Sequence, residues 1–244
     1  MKTLILAHRG ASAYCAENTL EAFSLAIEQK ADGIELDVHL TRDGQIVVAH
    51  DEQLERVSNG TGLINSRTLQ ELKALDFGIL FPDKGPCRIP ALAEVYDLLK
   101  PTPLMVNIEL KTNVLLYPEL PEKLIRLTRE FEMEERVLYS SFNHYSLLEI
   151  KKLSANAKTG LLYQFGMVDP WVYANYVQAQ AIHPHYFVVA ALPETVANCH
   201  ENGVKVNVWT VDEPESIKKM IQCEVDAVIT NKPDIAIECR RDAV

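Results

Sequence analysis

Short apolar runs alternate along the chain with stretches in which apolar residues recur every three or four positions. Runs of strand length fall at 4–8, 33–39, 105–111, 136–141, 158–163, 180–185, 205–210 and 226–230, with a further extended piece at 46–50. Helical patterns lie between them: 17–29 opens on Glu17-Asn18-Thr19, 119–132 is amphipathic, and 213–223 begins Glu213-Pro214-Glu215. Proline near a first helical turn is harmless, because the N–H it lacks would have no partner there. Strand and helix in alternation are the mark of parallel strands joined by helical crossovers, and eight main strands favour a closed parallel (β/α)8 TIM barrel over an open sheet. The stretch 51–90 breaks this rhythm, since Asn59-Gly60-Thr61-Gly62 and Phe81-Pro82-Asp83-Lys84-Gly85-Pro86 leave room for one short helix near 68–75. It reads as a short insertion after the second strand. At the C-terminal face of a barrel it would cover an active site.

Composition changes this picture little. With 244 residues, 48% of them apolar, and no compositional break, the chain is expected to form one domain over 1–244. Its 24 basic and 34 acidic residues give a net charge of −10, with the basic ones scattered, which argues against nucleic acid as a partner. An anionic small molecule stays compatible with that charge, because a bound divalent cation inverts the local field. The apolar start Leu4-Ile5-Leu6-Ala7 is cut short by His8 and Arg9 and reads as a buried strand rather than a signal segment. No run reaches the ~18 apolar residues of a membrane span, and no apolar or basic surface for bilayer contact is evident. The five cysteines, Cys15, Cys87, Cys199, Cys223 and Cys239, form no CxxC pair, so a reducing cytoplasm and plain buried thiols are expected. Homo-oligomerisation stays open.

The chemistry gathers at strand ends. Side chains alternate across a strand, so Glu35 and Asp37 share one face, and Asn107, Glu109 and Lys111 share one face of the next strand. Carboxylates projecting together into a barrel are costly unless a cation stands between them. An oxygen-only cage from Glu35, Asp37 and Glu109 suits Mg²⁺ or Ca²⁺ and disfavours zinc. The competing reading is a structural salt-bridge network of these acids with Arg9 and Lys111. His8 and His50 each follow an apolar run and stand where strand becomes loop, and imidazole suits both proton transfers of phosphodiester cleavage. Arg9 suits a forked contact to phosphate, with Lys111 as a point charge. Trp209, on one face with Asn207, fits either the carbons of a substrate or the core. His39 continues the parity of Glu35 and Asp37 but is read as a rim residue, and His183 as a turn residue satisfying backbone groups.

The strings His8-Arg9-Gly10, Glu17-Asn18-Thr19, Ala31 to Val38, Thr41-Arg42-Asp43-Gly44, His50-Asp51, Asn107-Ile108-Glu109-Leu110-Lys111 and Val208-Trp209-Thr210-Val211 occur in order from the first strand to the last. In this the chain resembles the glycerophosphodiester phosphodiesterase family. The resemblance implies a β/α barrel, a divalent cation on Glu35, Asp37 and Glu109, His50 as base and His8 as acid, and Phe142 in the apolar wall with Trp209. It implies hydrolysis of glycerophosphodiesters, such as glycerophosphocholine or glycerophosphoethanolamine, to glycerol 3-phosphate and an alcohol. Water and the substrate's own hydroxyl both remain candidate nucleophiles. A lysophospholipase D-like activity and an inactive phosphate-binding homologue are the alternatives. Cys15-Ala16 replaces a proline that the family commonly carries before Glu-Asn-Thr, and Asn231 stands where an aspartate is common, which puts a rim contact in doubt.

Overall fold

The computed structural model describes residues 2–242. Eight strands run parallel: β1 (Leu4–His8), β2 (Gly33–Leu40), β4 (Met105–Leu110), β5 (Val137–Ser141), β6 (Lys158–Tyr163), β7 (Ala181–Pro184), β8 (Lys205–Val208) and β9 (Ala227–Thr230). They pair in the order β1-β9-β8-β7-β6-β5-β4-β2, and β2 returns to β1, so the sheet closes into a barrel. The extended piece at 46–50 is not a barrel strand. As β3 (Ile46–Val48) it pairs antiparallel with the far end of β2, outside the ring.

Helices α1 (Leu20–Glu28), α3 (Leu92–Leu99), α4 (Leu120–Glu130), α5 (His144–Leu153), α6 (Pro170–Tyr176), α7 (Tyr186–Ala191), α8 (Glu194–Glu201), α9 (Pro214–Gln222) and α10 (Pro233–Asp242) lie between and after the strands. Thr19 caps α1 by accepting from the Ala22 N–H, and proline opens α6, α9 and α10, which fixes where each helix leaves its loop. The main core lies between ring and helices and draws on residues from Ile5 to Cys239. The insertion, with α2 (Leu69–Lys73) in it, packs a core of its own from Val47, Leu54, Ile64, Leu72, Phe77 and Ile89. Thr68 and Glu71 form a reciprocal capping box on α2.

Inside the barrel, Leu6, Ala227 and Ile229 pack with Leu4, Met105 and Trp209. His183 is fully buried there, with Nε2 2.9 Å from the Asn207 amide, and it is no turn residue serving the backbone. A Cβ on Gly160 would collide with that ring, so the glycine is what makes room for it. His39 is buried as well, and not at the rim: its ring meets the Tyr117 hydroxyl and the His50 carbonyl, each at 3.1 Å. Burial lowers the pKa of His183 to about 3 and that of His39 to about 4.

Both rings are therefore neutral when folded, whereas the unfolded chain binds their protons below about pH 6.5. Their contribution to stability is whole above that value and is lost as pH falls toward the folded pKa, at about 1.4 kcal/mol per unit for each ring. Thermal melts between pH 7 and 4 should show Tm falling less steeply in His183→Gln than in the wild type. Equal slopes would mean that His183 titrates normally.

Candidate active site

Register brings the acidic residues together. His8 pairs with Glu35 across β1 and β2, and Asp37 pairs with Glu109 across β2 and β4. Glu35, Asp37 and Glu109 are all buried, and each offers an oxygen within 4.8 Å of the others, a geometry able to hold a metal ion. Burial, then repulsion from Asp37 and Glu109, pushes the Glu35 carboxyl well above its ordinary value. Burial, outweighing the ammonium of Lys111, raises Glu109 to about 7. Asp37 goes the other way, because Lys111 and Arg9 together overcome its desolvation. Its Oδ2 accepts from the Asn18 amide at 2.9 Å, while its Oδ1 is buried with no hydrogen bond. A buried carboxylate oxygen without a donor, beside two crowded carboxyl groups, is the chemistry of a cation site.

Lys111 Nζ lies 2.9 Å from Glu109 and 3.7 Å from Asp37, behind the acids and not among the residues that line the cleft. Arg9 does line it, with a backbone φ of 55°, its N–H on Glu35 and its guanidinium 2.9 Å from Glu17. Gly10 follows at φ 82°, and a Cβ there would come within 2.7 Å of Ala22, so the turn that presents Arg9 needs glycine.

His8 and His50 both line a cleft of about 70 Å³, together with Arg9, Glu35, Asn107, Glu109, Phe142, Leu162, Trp209, Thr210 and Ile229. One side of it is charged and the other apolar. Phe142 and Trp209 meet edge to face at 5.4 Å, and the Trp209 indole donates to the His183 carbonyl at 2.7 Å.

Asn231 is no rim contact: it orients His8. Its amide nitrogen faces the Asp212 carboxylate at 2.6 Å, so its Oδ1 must face His8 Nδ1, at 2.7 Å. An amide oxygen only accepts, which puts the proton on Nδ1 and leaves Nε2 with its lone pair, 3.9 Å from Glu35. Burial, then Arg9, lowers His8 to about 4. His50 instead has a carboxylate behind it: Nδ1 lies 2.5 Å from Asp51. Arg56, from the insertion, grips Asp51 and also makes two bonds to Glu17, tying the His50 loop to the loop after β1. Sequence reading took Glu17 and Asn18 for a helix opening and passed over Arg56, Asp212 and the orienting role of Asn231. These contacts span up to 223 residues, and no local pattern signals them.

Arg56→Ala should lower kcat for phosphodiester hydrolysis by about tenfold with little change in KM, since it loosens Asp51 without touching the cleft. Arg56→Lys should restore part of that loss. A change confined to KM would place Arg56 on substrate instead.

A sequence profile of the glycerophosphoryl diester phosphodiesterase family matches residues 8–235. The chain belongs to this family. It is 49% identical to a glycerophosphodiester phosphodiesterase of Caldanaerobacter subterraneus subsp. tengcongensis, over 99% of each chain. A solved glycerophosphodiester phosphodiesterase structure from Agrobacterium tumefaciens superposes with a TM-score of 0.85 at 28% identity, covering 97% of this chain and 99% of that one. A phosphodiesterase of Oleispira antarctica, solved with the product sn-glycerol-3-phosphate, superposes with a TM-score of 0.85 at 27% identity, covering 97% of this chain and 96% of that one.

The surface departs from the sequence reading in one respect. Large apolar side chains are exposed beyond the ends of β4, β5, β6 and β7, among them Leu116, Phe165 and Val168 on loops and Tyr145 and Phe187 in the first turns of α5 and α7. No helix among the described residues is long and apolar enough to cross a membrane.

Proposed function

We propose that the chain is a metal-dependent glycerophosphodiester phosphodiesterase, one barrel domain that cleaves small glycerophosphodiesters to glycerol 3-phosphate and an alcohol. The observation that carries this reading is the meeting of His8 and His50 in one cleft beside a buried cage of three carboxylates, in a member of this family. Glu35, Asp37 and Glu109 would hold Mg²⁺ or Ca²⁺, which supplies Lewis-acid polarisation of a phosphate oxygen when bound. Arg9 anchors phosphate at the charged side, Lys111 holds Asp37 and Glu109 in place, and Phe142 and Trp209 carry the glycerol carbons.

The hydrogen bonds behind the two rings support a division of labour opposite to the one the resemblance implies. His8, backed by a neutral amide, offers a lone pair at Nε2 and takes the proton of the attacking hydroxyl. His50, backed by the Asp51 carboxylate, delivers a proton to the departing alcohol oxygen. The substrate is a small molecule, nucleic acid is not a partner, and five free thiols fit a reducing cytoplasm.

The test is hydrolysis of glycerophosphocholine and glycerophosphoethanolamine by chelator-treated protein, with Mg²⁺ or Ca²⁺ restored. Turnover of either compound that requires the cation supports the reading. No turnover of either with either cation would end it.

A further inference from the structure

β3 ends at Val48, short of His50, so the ladder that holds this strand stops before the ring that lines the cleft. Antiparallel pairing matches His39 with Val47, and the Ala49 N–H still donates to the Asp37 carbonyl at 3.0 Å. One residue further on, a side chain takes the place of the ladder. His39 Nε2 lies 3.1 Å from the His50 carbonyl oxygen, and its Nδ1 lies 3.1 Å from the Tyr117 hydroxyl.

A carbonyl oxygen only accepts, so the proton of a neutral His39 sits on Nε2, and the bare Nδ1 accepts from Tyr117. The direction of the bridge is thereby fixed, from tyrosine hydroxyl to imidazole and from imidazole to the peptide of His50. With both nitrogens engaged, and with the ring fully buried and no part of the cleft lining, His39 has nothing left to offer a metal or a substrate. Tyr117 is buried edge-on to it at 5.7 Å, and the Tyr117 carbonyl accepts from the Leu120 N–H at 3.0 Å, where α4 begins. Leucine would fill the place of His39 with no polar atoms to desolvate; what the imidazole adds is the bond to His50.

We propose that His39 is a positioning residue for His50, with Tyr117 fixing the tautomer in which it works. This rests on the phosphodiesterase reading above and on the part His50 plays in it. The His50 ring reaches the cleft from a loop, and its peptide carbonyl is where that loop is pinned to β2, while Asp51 holds the ring itself. β2 thus presents two of the three buried carboxylates, Glu35 and Asp37, and at the next residue of the same parity the clamp on the second imidazole. One strand sets the distance between acids and ring.

His39→Leu should lose about 10- to 100-fold in kcat on glycerophosphocholine, the cost of displacing a reacting group by about 1 Å, and change KM by less than about twofold. His39→Gln, whose amide N–H reaches the place of Nε2, should recover most of that loss. Tyr117→Phe should lose about two- to fivefold alone and nothing further in the His39→Gln background, where no acceptor faces it. Substrate dependence separates positioning from general damage. Between glycerophosphocholine and a glycerophosphodiester with a nitrophenol leaving group, the losses in His39→Leu should follow those in His50→Ala, whichever way these fall. In the wild type, proton–nitrogen NMR correlation spectra of the imidazoles should show His39 with its proton on Nε2, a readout that holds even if His39→Leu fails to fold. Four outcomes would overturn the role: wild-type kcat in His39→Leu, equal losses in His39→Leu and His39→Gln, losses that do not follow those of His50→Ala, or a His39 proton on Nδ1. Full activity of His50→Ala would instead remove the reading on which the role rests.

Discussion

His50→Ala should lose on the order of 10²–10⁴ in kcat on glycerophosphocholine and recover most of it on a glycerophosphodiester whose leaving group is p-nitrophenol. A nitrophenolate departs without protonation, so an enzyme that lacks only its general acid is spared on such a substrate. His8→Ala should lose a similar factor on both compounds, because the attacking oxygen must give up its proton whatever leaves. The asymmetry follows from what stands behind each ring, an amide oxygen at 2.7 Å for His8 and a carboxylate at 2.5 Å for His50. Rescue of His8→Ala in place of His50→Ala would reverse the roles. Near wild-type turnover in either variant on glycerophosphocholine would remove that ring from the chemistry.

A divalent cation added to chelator-treated protein should raise Tm by roughly 5–10 °C. At a hundred times Kd, binding stabilises the folded state by about 2.7 kcal/mol, and a domain of this size moves about 2–4 °C per kcal/mol. Glu109→Gln should lose most of that shift, yet melt no lower than wild type without cation, since it relieves repulsion among three buried acids. The alternative, a purely structural network with Lys111, makes the opposite forecast. There Glu109→Gln strips Lys111 of its 2.9 Å partner, lowers the cation-free Tm, and cations change nothing in either protein.

Much of the barrel was legible because strand parity is local. The alternation that sets Glu35 and Asp37 on one face also sets Asn107 and Glu109 on the next, and register then aligns Asp37 with Glu109. Parity gives the face of a strand but not where the strand leaves the ring. At Val38–Leu40, β2 turns to pair with β3, and His39 goes to Tyr117 and the His50 carbonyl instead of the rim. The relay from His8 through Asn231 to Asp212 joins the two ends of the chain, so no spacing reveals it. The span from Thr159 to Pro193 holds no Lys, Arg or Glu and a single Asp, Asp169, but strand and helix signals within it account for its apolar residues as core. Only the fold separates Leu161 and Val189, which are buried, from Val168 and Phe187, which are not.

His50 follows β3 and precedes a segment packed around Leu54, Ile64 and Leu72, whereas His8 and the three acids belong to barrel strands. The two imidazoles of the cleft are therefore divided between two separately packed bodies, latched by the guanidinium of Arg56 on Glu17 and Asp51. Redesign of the excursion after β2 would inherit the three buried carboxylates from the ring, but it would have to rebuild the second imidazole and its latch together.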